Sequence, residues 1–276
     1  CFGDGEELTK YFNLNLKLLL TNPSLIFWAI IFIEYWVFMW AYVFSAGLPP
    51  IEEAVKNYVS LAYGSLVVIS LSAAATSICY ELIYSSKSIK FVTKYTKLSP
   101  SRFLAENFAS CFIVLLFVSA VLFISLVGLS CYKFGILVLP ENALGLVAIS
   151  LLSAIFLYAF SAFLSLLLVV LRAPKSASFL SFIPLIMSFL AYGSLWTDFK
   201  ILAYVSPFNC IMALCYHFFS GRQPVTGAFL MSNGENLMSV SLSAVSLIAW
   251  TLALLILVVV LLRKMKGVGI EEIRLV

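Results

Sequence analysis

The chain has 276 residues, of which 63% are hydrophobic and only 11% charged. A soluble domain carries about 25% charged residues, so a water-soluble globule is excluded, and so is a disordered chain, which stays solvated because it is poor in apolar residues. The 17 Lys and Arg against 13 Asp and Glu leave a net charge of +4, whose meaning depends on where the positive residues fall. The length suits one all-α integral membrane domain over residues 1–276.

From the amino end, Glu6 to Thr21 sets Lys10, Asn13 and Lys17 along one side of a helix and Leu8, Phe12 and Leu19 on the other. Residues 1–22 therefore read as an interfacial helix in the headgroup region, with a frayed polar start to the first span as the alternative. Asn22-Pro23 then turns the chain. A hydrocarbon core about 30 Å thick takes roughly 20 helical residues to cross. Six stretches meet that length, at about 23–47, 57–80, 107–132, 142–171, 176–197 and 236–262. Runs such as Leu151 to Val170 are apolar on every side, as helices among lipid and other helices are, whereas barrel strands alternate at period two.

Five of these stretches carry no charge, and the first carries only Glu34, about halfway along. A carboxylate at that depth costs at least about 2.5 kcal/mol. Glu34 reads either as an acid hydrogen-bonded to a neighbouring Ser or Tyr, or as part of a transport path or subunit interface.

Residues 81–102 connect the second and third spans. Taken as a helix from Ser86 to Leu98, this loop puts Lys87, Lys90, Lys94 and Lys97 on one stripe, with Ile89, Val92 and Tyr95 opposite and Phe91 at the flank. Such a helix rests on anionic lipid or docks a cytoplasmic partner, and the two readings are compatible. Ser99 and Pro100 then serve as N-cap and first residue of the next helix.

A seventh apolar run, Ile201 to Gly221, carries Pro207 and Asn209 near its start. Lys and Arg gather in short cytoplasmic loops. With six spans and both termini cytoplasmic, 13 of the 17 basic residues fall inside, whereas a seventh span reduces the split to 10 against 7. Six spans are favoured, and residues 198–235 become an outer re-entrant or interfacial helical hairpin before the last span.

Several chemistries are missing. There is no P-loop, so the chain has no ATP site of that kind, and one histidine, His217, cannot make a two-histidine metal site. Glu52-Glu53 is similar to the paired glutamates of intramembrane prenyl-protein proteases, but Asn57 stands where those carry an arginine. Glu52 and Glu53 read as solvated loop charges and His217 as a polar group on the hairpin. The six cysteines, at 1, 79, 111, 131, 210 and 215, form no C-x-x-C pair, and a bridge between Cys210 and Cys215 stays open. No catalytic residue, metal or nucleic-acid partner is expected.

The order of parts resembles the permease subunit of type-2 ATP-binding-cassette (ABC) exporters over nearly the whole chain. The amphipathic start ends in Leu-Thr-Asn-Pro-Ser-Leu at 20–25, and the second span is followed by Ser88-Ile89-Lys90-Phe91-Val92 and Leu98-Ser99-Pro100-Ser101-Arg102. Arg172-Ala173-Pro174-Lys175-Ser176-Ala177 is similar to the family's short cytoplasmic turn, and Tyr204-Val205-Ser206-Pro207-Phe208 to its segment before the last span. Lys90 replaces the family's usual glutamate, and about three extra residues precede Pro100.

The resemblance implies a multi-pass cell-membrane protein that pairs with a second permease subunit, identical or not. Separate ABC ATPase subunits would carry ATP and Mg. It also implies a coupling helix through Lys87, Lys90, Phe91, Lys94, Tyr95 and Lys97. An ATP-independent transporter or channel, or a structural subunit of a membrane complex, are the alternatives.

Overall fold

The computed structural model describes residues 4–95, 100–171, 176–230 and 236–265, and for 4–11, 84–95, 100–104, 263 and 265 the backbone only. The helices are α1 (Asp4–Leu20), α2 (Pro23–Phe44), α3 (Glu52–Tyr95), α4 (Pro100–Phe134), α5 (Ala143–Val170), α6 (Ala177–Leu195), the short α7 (Leu202–Val205), α8 (Pro207–Ser220) and α9 (Val240–Met265). Among the described residues there is no strand, only two isolated bridges. Six of these helices, α2 to α6 and α9, are long and apolar enough to cross a membrane. The chain is a multi-pass membrane protein.

Short polar caps set the helix starts. Asn22 Oδ1 accepts from the Ser24 and Leu25 N–H groups at 3.0 and 3.4 Å, with Pro23 in the first turn. Asn142 Oδ1 accepts from Gly145 N–H at 2.8 Å, and Ser206 Oγ from Asn209 N–H at 3.4 Å, with Pro207 next. Each cap satisfies a first-turn donor that the helix cannot satisfy itself. At the other end of α8, Gly221 takes φ 74° and its N–H closes on His217 O at 2.8 Å, a left-handed stop that a residue with a Cβ resists.

Two features differ from the sequence reading. First, α3 does not end with its apolar stretch. The backbone is helical without a break from Glu52 to Tyr95, so residues 86–95 continue the second span instead of forming a separate helix. Between Gly64 and Tyr95 the chain has neither glycine nor proline, the residues that most readily break a helix. Second, α2 is not a plain α-helix: Ile26–Ile31 and Met39–Phe44 are π-helical, and they flank the α-helical Phe32–Phe38 that carries Glu34.

The centre of the bundle is α3, buried along almost its whole apolar length and packed by α2, α4, α5, α6 and α8. Its interior is small and hydroxylic, with Ser60, Ser65, Ser70, Ser72 and Ala73 to Ala75 all buried. Small residues let helix backbones approach, and serines add hydrogen bonds between them. Ser70 Oγ donates to Ala29 O of α2 at 2.8 Å, while Ser161 and Ser165 of α5 donate to Ala75 O and Cys79 O of α3 at 2.9 and 3.0 Å.

The α7–α8 hairpin is inserted into this bundle. α8 has 14 residues, about 21 Å of helix, too short to cross the hydrocarbon. Its first turn lies against the middle of α5, where Phe208 meets Phe156 and Phe160 edge-on with ring centroids 5.5 and 5.8 Å apart. Its last turn meets the start of α5: the Glu141 and Asn142 N–H groups donate to Phe219 O and Phe218 O, both at 3.0 Å. Cys210 and Cys215 are free buried thiols on this helix, and a five-residue step sends them to different sides.

A Cβ on Gly64 would lie 2.9 Å from Met212 O of α8. Gly64→Val should therefore push α3 from α8 and cost about 1–3 kcal/mol, read as a lower midpoint in thermal unfolding of the detergent-solubilised protein.

Candidate functional site

Three places carry the residues singled out by the sequence. The first is the basic run. Residues 84–95 lie on the extension of α3, so Lys87, Lys90, Phe91, Lys94 and Tyr95 share one continuous helix with the second span. Their side chains, and Lys97 altogether, lie outside the described residues.

The second is Glu34, half-buried on α2. Ser125 of α4 donates to Glu34 Oε1 at 2.7 Å and also approaches its own Val121 O at 2.8 Å. Glu34 forms no ion pair among the described residues. Lys133, two turns along α4 from Ser125, instead bonds Ser45 Oγ and, at 3.3 Å, Tyr42 O. The contact is thus a carboxyl-to-hydroxyl pair at mid-helix, bracketed by the two π-helical stretches of α2. π-helical turns inside helices are rare and concentrate at functional positions.

The third is the hairpin turn with Pro207 and Asn209. Pro207 opens α8, and Ser206 is extended (φ −81°, ψ 112°). The carbonyls left over by this break find donors on α9: Trp250 Nε1 donates to Val205 O at 2.9 Å and Ser246 Oγ to Tyr204 O at 2.6 Å. Tyr204 OH accepts from Ser239 N–H at 2.8 Å. Asn209 is buried, and its Oδ1 has no hydrogen-bond partner.

Around the mouth of the hairpin the polar residues tie elements together. Glu53 pairs with Arg222 and Lys56 with Glu141, linking α3 to the end of α8 and the start of α5. Glu52 and Glu53 are thus not loop charges but the first turn of α3, where acidic side chains suit the helix dipole. His217 Nδ1 lies 2.8 Å from Arg222 O. No group of three or more potential metal ligands occurs among the described residues.

Sequence reading missed two clusters. Asp198 accepts from Thr226 Oγ1 and Asn236 Nδ2, both at 2.6 Å, and from Lys200 N–H at 2.9 Å, knotting the loops on either side of the hairpin. At the opposite end, Asn15 of α1 donates to Ser110 Oγ at 2.5 Å, and Asn107 Oδ1 accepts from Tyr158 OH at 3.2 Å. No shared sequence pattern marks them: Asn107 follows Glu106, Asn15 lies between Asn13 and Lys17, and Asp198 follows Thr197. No protein-family model matches the chain, and no curated protein matches it at a significant level.

The hydrogen bonds to Asp198, led by that from Thr226, hold its carboxyl below the usual carboxylate range. Lys56, through its hydrogen bond and then its charge, does the same for Glu141. A carboxylate with a lowered folded pKa adds stability above its unfolded value, about 3.9 for Asp, and loses it as pH falls through the folded value. The loops joined by Asp198 should therefore open to protease as pH drops below about 4. In Asp198→Asn they should be more accessible at neutral pH and nearly insensitive to this drop. Cutting by trypsin at Lys200 reads the difference at neutral pH, and cutting by pepsin beside Phe199 and Leu202 reads the acid response.

Proposed function

We propose that the chain is the membrane-spanning permease subunit of an ATP-driven ABC exporter, paired with a second permease subunit and driven by separate ATPase subunits. The observation that carries this reading is the α7–α8 hairpin immediately before the last span. It reaches the middle of α5 and returns to the end it left, and it contains the Tyr204–Phe208 segment that resembles the family's segment before the last span.

In this reading the hairpin is re-entrant from the outer face and caps the path. Irregular backbone at that depth is tolerated when it is enclosed in protein, and the turn's carbonyls do find donors on α9. Both termini are cytoplasmic. α1 lies in the cytoplasmic headgroup layer, with Leu14 and Leu18 exposed to lipid while Asn15 and Leu19 are buried against the bundle. The basic run on the extension of α3 docks the ATPase, which supplies the P-loop that is absent from this sequence. Glu34 lines the path or the subunit interface, and its exposed side meets water or protein, not lipid.

Co-purification with a P-loop ATPase is the direct test. Phe91→Ala with Tyr95→Ala should release or uncouple that ATPase while the permease still inserts. Wild-type association and substrate-stimulated ATP hydrolysis would sink the docking role. Lipid attraction alone should respond mainly to the lysines and to salt.

Glu34→Gln retains the shape and a Ser125 partner but removes the ionisable group. With Glu34 on the path or interface, transport rate or preference should change at normal expression and assembly, as measured in vesicles. Glu34→Gln and Glu34→Leu that both transport like wild type would leave Glu34 without either role.

A further inference from the structure

α5, α6, the hairpin turn and α9 enclose a cavity of about 370 Å³, within the range of small-molecule sites. Its walls are aromatic and aliphatic, with Phe156, Phe160 and Trp250 prominent, and Ser206 and Asn209 contribute its polar side chains. Leu190, Leu202 and Val205 form an exposed rim, so the cavity opens sideways from the apolar part of the bundle.

The polar groups at this cavity differ in how far they are already used. Ser206 Oγ caps α8 and Trp250 Nε1 is held by Val205 O. Asn209, by contrast, is 7% exposed, and its Oδ1 has no partner. A buried acceptor without a donor bears the full cost of its lost hydration, and native folds leave few such groups. Asn209 also sits in the first turn of α8, where the helix end is partially positive. A cation is therefore disfavoured there, while a neutral group that can both donate to Oδ1 and accept from the helix end is favoured. Oδ1 is itself covered, and rotation about the amide's broad terminal torsion is the movement that presents it.

We infer that this cavity binds an uncharged, membrane-dissolved apolar molecule bearing a hydroxyl group, with the hydroxyl on Asn209 and the apolar body against Phe156, Phe160 and Trp250. The site is complete within one chain and does not depend on the exporter reading, since no ATPase enters it.

The test uses the whole protein in nanodiscs of saturated phosphatidylcholine and three photoreactive diazirine probes of equal chain length: a long-chain alcohol, its methyl ether and the plain hydrocarbon. Labelled peptides are mapped by mass spectrometry. The alcohol should label the segments around Phe208 and Trp250 at about tenfold lower concentration than the ether, the worth of one buried hydrogen bond. Asn209→Leu should erase that preference while leaving thermal stability equal or higher, because the orphan oxygen is gone. Asn209→Ala gives the same readout without added bulk. Val205→Trp at the rim should reduce labelling by all three probes.

Equal labelling by the three probes in the wild type would make the cavity a lipid-filled crevice and overturn the inference. So would an alcohol preference that survives both Asn209 variants, or a loss of stability in both, which would mark Asn209 as structural.

Discussion

In a hydrocarbon core every backbone N–H and C=O must find a partner inside the protein, and under the proposed function this chain meets that demand at a broken helix. At Ser206-Pro207 the backbone leaves helical geometry in the middle of the bundle, level with Phe156 and Phe160 of α5. Pro207 brings no N–H of its own, Ser206 Oγ covers that of Asn209, and Trp250 and Ser246 donate to the carbonyls of Val205 and Tyr204. A turn satisfied in this way can stay at that depth only while α9 remains beside it. The hairpin and the last span therefore behave as one packed unit.

Room for that unit comes from α3. A helix lined with leucine would hold its neighbours at the usual 8–10 Å or so between axes, whereas the serines, alanines and Gly64 of α3 let α2, α5 and α8 approach its backbone. The serine hydroxyls turn this closeness into hydrogen bonds to carbonyls of neighbouring helices, such as Ser70 to Ala29 and Ser161 to Ala75. Such bonds are worth about 0.6 kcal/mol on average in membrane proteins. Position is their main effect: they fix the rotation of each helix about its axis, which a uniformly apolar surface leaves undefined.

The six spans were legible because bilayer thickness sets their length, and the break at Pro207 because proline cannot donate inside a helix. The unbroken run of α3 into residues 84–95 was also within reach, since the sequence there lacks any helix breaker, but the switch from apolar to basic composition suggested a separate element. Composition reports which solvent a segment meets, and a helix can cross from lipid to water without interruption. The π-helical stretches of α2 left no trace in the sequence because that helix is apolar on nearly every side, so no periodicity registers a change of pitch. Ser125 as the partner of Glu34, and Thr226 and Asn236 as partners of Asp198, depend on contacts between residues far apart in the chain, which one sequence does not encode locally.

The two ends of the bundle are fastened differently. At the hairpin end, α3, α5 and α8 are joined by Glu53–Arg222, Lys56–Glu141 and the two backbone bonds from Glu141 and Asn142. The same α3 runs without a hinge from this end, past Gly64 against Met212, to the basic segment at the opposite end. A helix of 44 residues is about 66 Å long, and a push on its basic end reaches the α8 contact through one hydrogen-bonded rod instead of through a chain of side chains. Under the proposed function, that continuity is the physical route from an ATPase below to the hairpin above. It explains why the small-residue face of α3 and the polar cap at its start occur on the same helix: one lets the rod sit against α8, and the other ties its far end to what it would move.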